Sequence, residues 1–265
     1  MTSKPKNDIA GIIVLRKPPG VGSARYVYRL RPIFKIRKVG HAGTLDPFAD
    51  GVLLGCVGRA TKMVERLIAL PKQYRTTIRL GVTNDTYDTE KPFRPVTVAQ
   101  AVSRAQVEQA LLAFNGLVSQ IPPAYSAVKI GGVPSYRLAR RDIAVDLKPK
   151  TVRIDVIRIL EYAWPQLTLD ITCGRGTYIR AIARDLGEVL ACGACCERLT
   201  RVAVGPFHVD DAIDIDQAGP DSIRTALLSI DEVARMLAHA DASGAGDGFT
   251  GESSAAGSSS GVSSP

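Results

Sequence analysis

The sequence predicts a mixed α+β domain, a sheet with helices packed against it, and three observations carry that reading. Val152, Ile154 and Val156 alternate with Arg153 and Asp155, and Leu167, Leu169, Ile171 and Cys173 alternate in the same way. Period two marks strands with one buried face. Immediately afterwards the period changes, and Ile179, Ile182, Ala183, Leu186 and Leu190 recur at helical spacing.

In chain order, residues 9–17 hold the run IIVL, broken by Pro18-Pro19-Gly20, so a strand feeds a loop. Residues 52–57 and 74–82 read as further strands. Ser103-Arg-Ala-Gln106 fits a capping box, with Val107, Ala110, Leu111 and Phe114 forming the helical face behind it. Gly116 provides the stop. The two alternating strands come next, then the turn Gly174-Arg175-Gly176 and the helix that follows it. On that helix Arg180 and Arg184 fall off the apolar stripe together, one turn apart, free to serve a cleft or solvent. After Phe207 about 35 residues precede the tail, room for two short helical pieces. No internal repeat is visible.

The composition, 45% hydrophobic and 23% charged over 265 residues, excludes a wholly disordered or collagen-like chain. No apolar run reaches the about 18 residues a membrane span needs, and the start MTSKPKND is no signal peptide. The expected location is cytoplasmic. Lys and Arg number 34 against 26 Asp and Glu, but the residues from Asp241 onward hold Asp241, Asp247 and Glu252 and no Lys or Arg. The first 240 residues therefore carry 34 cations against 23 carboxylates, a balance of +11 that favours a polyanionic partner, nucleic acid first.

Five cysteines in a chain without an export signal argue against a disulfide framework. Cys192-Gly-Ala-Cys195 has no second pair at metal-binding spacing, and His41, His208 and His239 are too scattered to complete a site. Buried, inert thiols and no metal are expected. From about Ser243 the chain is mostly Gly, Ala and Ser and cannot bury enough apolar surface to order itself. The expected division is a folded unit over residues 1–240, with its core at about 9–210, and a disordered tail over 241–265. Gly257-Ser-Ser259-Ser-Gly261 matches a nucleophile-elbow pattern but lacks the strand and helix that pattern requires. Asn84-Asp-Thr86 fits a glycosylation acceptor, which carries no meaning in a cytoplasmic chain.

The most unusual segment is Gly40-His-Ala-Gly43-Thr-Leu-Asp46-Pro-Phe-Ala-Asp50-Gly51. Its glycines permit tight backbone geometry and Pro47 pushes Asp46 towards an extended conformation. A carboxylate is thus held on a stiff loop in a basic protein, beside one of the three histidines. Taken alone the segment also fits an Asx-turn, or a glycosidase pair formed by Asp46 and Asp50.

The longer stretch GHAGTLDPFADGVLLGCVGRATK, from Gly40 to Lys62, closely resembles the catalytic motif of the tRNA pseudouridine synthase B (TruB) family. Further segments match in order: Lys17-Pro-Pro-Gly20, Lys72-Gln-Tyr74 leading to Leu80-Gly81, and Ile121-Pro-Pro-Ala-Tyr-Ser-Ala-Val-Lys129. Arg175-Gly-Thr-Tyr178-Ile-Arg180 leading to Asp185-Leu-Gly187, and Arg201-Val-Ala-Val-Gly-Pro-Phe207, complete the set. The resemblance spans about residues 9–210.

It implies the pseudouridine synthase fold, a large mixed, mainly antiparallel sheet with flanking helices. It also implies isomerisation of uridine to pseudouridine in tRNA, usually uridine 55 of the T arm, by a monomer that needs no cofactor and no obligate protein partner. By position in the motif Asp46 is the carboxylate that acts near ribose C1′, which becomes electron-poor as uracil leaves. Arg180 matches the family's arginine partner, expected to keep Asp46 charged in a closed pocket. Tyr74 matches the tyrosine that stacks on the extruded base, and Tyr178 and Leu199 match other pocket positions. His41 matches the residue that enters the vacated stack, and Lys17 and Lys62 are expected to contact phosphate.

Three departures stand out. Gly22 replaces a usual Thr, the segment Asp85–Lys91 lacks the usual glycine, and no RNA-binding domain of the PUA type is expected after Phe207. Two rival readings accompany the first. One is a non-catalytic RNA-binding or RNA-folding protein on the same fold, against which intact Asp46, Tyr74 and Arg180 argue. The other is a glycoside hydrolase, which lacks a sugar-stacking tryptophan near the loop, the only one being Trp164.

Overall fold

The structure is a computed structural model that describes residues 9–244. Its strands are β1 (Gly11–Lys17), β2 (Val39–Ala42), β3 (Asp50–Val57), β4 (Lys72–Leu80), β5 (Val82–Thr83), β6 (Arg94–Pro95) and β7 (Gly116–Gln120). They continue with β8 (Lys129–Ile130), β9 (Val133–Pro134), β10 (Lys150–Ala163), β11 (Gln166–Cys173), β12 (Ala194–Val204) and β13 (Phe207–His208). The helices are α1 (Ser23–Val27), α2 (Leu30–Phe34), α3 (Val64–Ala69), α4 (Arg104–Leu111), α5 (Ser135–Ala139), α6 (Ile179–Val189), α7 (Pro220–Thr225) and α8 (Ile230–Gly244).

Nine strands form one sheet in the order β1-β3-β12-β4-β11-β10-β7, with β2 added on β3 and β13 on β12. The pairings are antiparallel except that of β12 with β3, where Thr200 pairs with Asp50 and Arg201 with Gly51. This is the α+β architecture expected, a mixed and mainly antiparallel sheet. The single parallel junction falls at the end of the Asp46 loop.

Helix α4 begins with the predicted capping box: Gln106 N donates to Ser103 Oγ at 3.3 Å and Ser103 N donates to Gln106 Oε1 at 2.8 Å. Its Val107, Ala110 and Leu111 pack with Ile182 and Leu186 of α6 over the strand residues Leu167, Leu169 and Ile171. At the other end of the sheet, alternate residues of β1 serve two cores. Ile13 and Leu15 pack with Tyr26, Leu30 and Phe34 of α1 and α2, whereas Ile12 and Val14 pack with Leu67 of α3 and Val233 and Leu237 of α8.

Several boundaries differ from the sequence reading, and the strand expected over 52–57 begins at Asp50. The strand expected over 74–82 starts at Lys72 and ends at Leu80, because Gly81 turns at φ +76° and Val82 pairs separately with Pro95. Strand β10 continues to Ala163, well beyond its alternating start, with two register shifts against β11. After Phe207 the two helical pieces are α7 and α8. Helix α8 reaches Gly244, so residues 241–244, assigned to the tail by composition, are helical. The rest of that tail, including the Gly257–Gly261 pattern, lies outside the described residues, as does the start MTSKPKND. All five cysteines are free and buried, and desolvation pushes the Cys56 and Cys196 thiols up to about 12. Among the described residues no helix is long and apolar enough to cross a membrane.

Candidate active site

Asp46 stands on the loop joining β2 to β3, and that loop is fastened at almost every residue. Ser23 Oγ donates to Leu45 O at 2.7 Å and accepts from Leu45 N at 2.8 Å. Gly20 N donates to Pro47 O at 2.7 Å, and Lys17 Nζ reaches the same carbonyl at 3.2 Å. From β12 the buried Arg201 donates through Nη2 to Gly43 O at 3.1 Å, through Nη1 to Thr44 O at 3.4 Å and through Nε to Val52 O at 2.7 Å. The parallel junction allows this close approach only because residue 51 is glycine. At φ +101°, a Cβ there would lie 2.3 Å from Arg201 O.

Lys17 therefore does not serve as the phosphate contact expected from sequence. It is fully buried, and its ammonium donates to Pro18 O, Val21 O and Pro47 O, which uses all three protons. Burial lowers it to about 8, with Asp50 and Asp46 pulling the other way.

Arg180 lies behind Asp46 on α6 and is only 2% exposed. Its Nε donates to Asp46 Oδ2 at 2.8 Å, Nη1 donates to Thr86 O at 2.9 Å, and Nη2 donates to Tyr125 O at 2.8 Å. Asp88 Oδ2, also buried, stands 3.3 Å from Nη1. Burial works against the Arg180 charge, yet Asp46 and then Asp88 outweigh it and the net direction is upward. On Asp88 burial dominates and pushes the carboxyl up, with Arg180 opposing. Helical spacing puts Arg180 off the apolar stripe, free for cleft or solvent, and the resemblance pairs it with Asp46; it lies in a buried cleft, with every edge of the guanidinium engaged. Arg184, one turn on, donates instead to Ile121 O at 2.9 Å and to Asp185 Oδ1 at 2.6 Å.

Asp46, Tyr74, Tyr178 and Leu199 share one cavity of about 280 Å³, with Lys72 and Arg201 in its wall. Tyr74 is delivered by β4, where Arg201 of β12 and Ile171 of β11 are its register partners. Burial raises its phenol, and raises that of Tyr178 as well. Tyr178 is the N-cap of α6, tied to β7 by Gln120, which accepts from Tyr178 N at 2.9 Å and donates to Tyr178 O at 3.1 Å. His41 and Lys62 are not in the cavity wall. His41 is half-buried on β2 with Nδ1 unpartnered, and burial followed by the Arg201 charge lowers it. Lys62 is exposed on the turn between β3 and α3.

Sequence reasoning did not single out Asp88, Thr86, Tyr125, Lys72 or Arg201. Arg201 and Lys72 each open a segment that matches the family, but the resemblance gives neither a role; the signal for a role is a cation at a buried strand position. Lys72 donates to Leu70 O at 2.6 Å and to Ile68 O, and burial lowers it to about 8.

Residues 31–179 match the model of the TruB family pseudouridylate synthase N-terminal domain, more than half of the chain. The chain belongs to the TruB family. It is 42% identical over 219 residues to tRNA pseudouridine synthase B of Syntrophus aciditrophicus, covering 83% of this chain and 70% of that protein. With tRNA pseudouridine synthase B of Bacteroides fragilis it shares 43% identity over 209 residues, 77% of this chain and 90% of the relative. Among solved structures, a chain of a Cbf5-Nop10-Gar1 complex superposes with a TM-score of 0.65 at 26% identity. That match covers 85% of this chain, which spans 62% of its counterpart. The TruB assignment covers the Asp46 loop and reaches Tyr178; Arg180 follows directly.

Proposed function

We propose that this site isomerises uridine to pseudouridine in tRNA, at uridine 55 of the T arm, in the cytoplasm and as a monomer. The reaction balances within the substrate and water. The bond from ribose C1′ to N1 breaks, a bond from C1′ to C5 forms, the C5 proton leaves, and N1 gains one. Asp46 acts at the sugar as nucleophile or base. Tyr74 packs on the extruded base, and Tyr178 and Leu199 wall the pocket that receives it. Arg180 supplies the counter-charge and fixes the direction of the carboxylate. Outside the cavity His41 fills the space the base vacates, and Lys62 contacts phosphate.

The observation that carries this reading is the Arg180–Asp46 pair at 2.8 Å, with Asp46 opening on a cavity that also holds two tyrosines. The test uses a T stem-loop tritiated at C5 of the target uridine, since forming the new bond releases that label to water. The chain should release it, and Asp46→Asn should abolish release while RNA affinity stays within a few-fold, because phosphate contacts dominate binding. Release by the variant would move the chemistry to another residue. Tight binding without release by the unaltered chain would favour the RNA-folding reading.

A further inference from the structure

Helix α6 carries two arginines on one face, one turn apart, as i and i+4 neighbours must be. The first, Arg180, is caged by two segments far away in sequence. Residues 84–91 supply Thr86 O and Asp88, and residues 120–125 supply Tyr125 O. The same two segments meet the second arginine. Arg184 Nη2 donates to Ile121 O at 2.9 Å, and its guanidinium lies over the Tyr87 ring, 5.7 Å from the centroid. The side chain is only 13% exposed, and Asp185 Oδ1 takes its Nε at 2.6 Å.

Tyr87 occupies an uncommon conformation for an aromatic residue, with φ +55°. Such a backbone persists only where its surroundings hold it. Here Cys196 N donates to Tyr87 O at 2.9 Å from β12, and Asn84 Nδ2 donates to Asp88 O at 2.6 Å and to Lys91 O at 2.7 Å from within the segment. The Tyr87 ring meets the Arg184 guanidinium. Thr86 and Asp88 flank Tyr87 directly, so a rotation of its backbone moves together the two partners that this segment gives Arg180.

We propose that Arg184 is a positioning residue for the Asp46 chemistry: it pins Tyr87 and Ile121, and through them the two segments that hold Arg180 against Asp46. This rests on the isomerase reading given above. The bland alternative is an arginine that contacts RNA phosphate. The guanidinium is required because its separate nitrogens reach Ile121 O and Asp185 Oδ1 while its carbon stays near the Tyr87 ring, a spread that a compact lysine ammonium does not cover.

The experiment measures the single-turnover rate of tritium release at saturating enzyme, alongside stem-loop affinity over a range of salt, for the full chain. Arg184→Ala should slow conversion of bound RNA about 10-fold to 30-fold, with affinity within twofold and an unchanged salt slope. Arg184→Lys should recover less than half of that loss on a logarithmic scale. Tyr87→Leu should slow the bound rate by a smaller factor, and the double variant should be no more than twofold slower than Arg184→Ala. Should Arg184→Ala fail to fold, Arg184→Lys and Tyr87→Leu carry the same test. A normal bound rate with weaker affinity and a shallower salt slope would make Arg184 a phosphate contact and overturn the proposal. Full rescue by lysine, or additive losses in the double variant, would overturn it too. If the unaltered chain releases no tritium, the isomerase reading fails and takes the proposal with it; if it does and Arg184→Ala matches it, only the positioning role is lost.

Discussion

Arg180 and Arg201 reach the Asp46 loop from different elements, α6 and β12, and both are buried, at 2% and 1% exposure. Their partners differ in kind. Arg180 meets two carboxylates, Asp46 and Asp88, besides two carbonyls. Arg201 meets three carbonyls and, among the described residues, forms no ion pair. Burying a guanidinium without a carboxylate costs solvation that neutral acceptors offset only in part. The β12 arginine therefore contributes geometry, fixing the loop on both sides of Asp46, while the α6 arginine contributes charge and aim. Two residues of one type divide the work because one sits beside carboxylates and the other beside a turn.

The largest break in that comparison should come from Arg180→Ala. It leaves Asp88 buried without its cation and Asp46 without its fixed partner, a loss of about 3–5 kcal/mol for a broken buried pair. If most of that is felt in the transition state, kcat/KM falls by about a thousandfold or more. Stem-loop affinity should remain within a few-fold. A loss of affinity equal to the loss in kcat/KM, with the bound rate intact, would show that Arg180 serves RNA binding.

Arg201→Met should cost less. It removes three donors, each worth about 1.5–3 kcal/mol as charged hydrogen bonds, but also removes a buried charge that has no counter-ion among the described residues. The expectation is a 10-fold to 100-fold drop in turnover and a lower melting temperature, with the drop arising from a loosened loop. Equal losses in the two variants would erase the division between charge and geometry.

Much of this was legible in the sequence, for physical reasons that can be named. Helices α4 and α6 announced themselves through apolar spacing and, for α4, through Ser103 and Gln106. Strand β12 did not, although it lies in the middle of the sheet. Glu197, Arg198 and Arg201 interrupt its alternation, and register shifts between Cys196 and Arg198 and between Arg201 and Ala203 change which residues face inward. The same irregularity hid the inward orientation of Arg201, although the residue opens a family-matching segment. Asp46, Tyr74, Tyr178, Leu199 and Arg180 were each named from motif, and four of them line one cavity with the fifth directly behind. The Lys17 assignment failed because a cation beside a loop reads alike whether it turns out to phosphate or in to carbonyls. Asp88 went unnoticed because it reaches Arg180 through tertiary contact alone, from a segment 92 positions earlier.

The mildest test is pH, and it separates the fastenings of the loop from the stability of the fold. Burial lowers Lys17 to about 8, against Asp50 and Asp46 and with some help from Arg201; burial, helped by Arg201, lowers Lys72 to about 8 as well. Below that pH the Lys17 ammonium has three protons for its three carbonyls. Above it the amine has two, and the longest of the three contacts, 3.2 Å to Pro47 O, is on the Asp46 loop. Turnover should therefore decline several-fold as pH rises from about 8 to 9.5. Stability carries the opposite sign. Between the folded value near 8 and the ordinary value of 10.5, the unfolded chain keeps a proton that the folded chain has released, so these two lysines add stability as pH rises through that window. Below 8 both states are protonated and their contribution is level. Tyr74, raised by burial, works against the two lysines in stability towards pH 10, where the unfolded chain's phenol begins to lose the proton that the folded chain keeps. Lys17→Met should lower turnover at pH 7.5 and flatten its alkaline decline. Its melting temperature relative to the unaltered chain should fall as pH is raised from 8 to 10, because the unaltered chain alone gains from releasing the Lys17 proton. If instead the unaltered chain loses turnover and melting temperature together from pH 8, and the difference between the two chains does not move, the decline reports general loosening and the Lys17 fastening is not its cause.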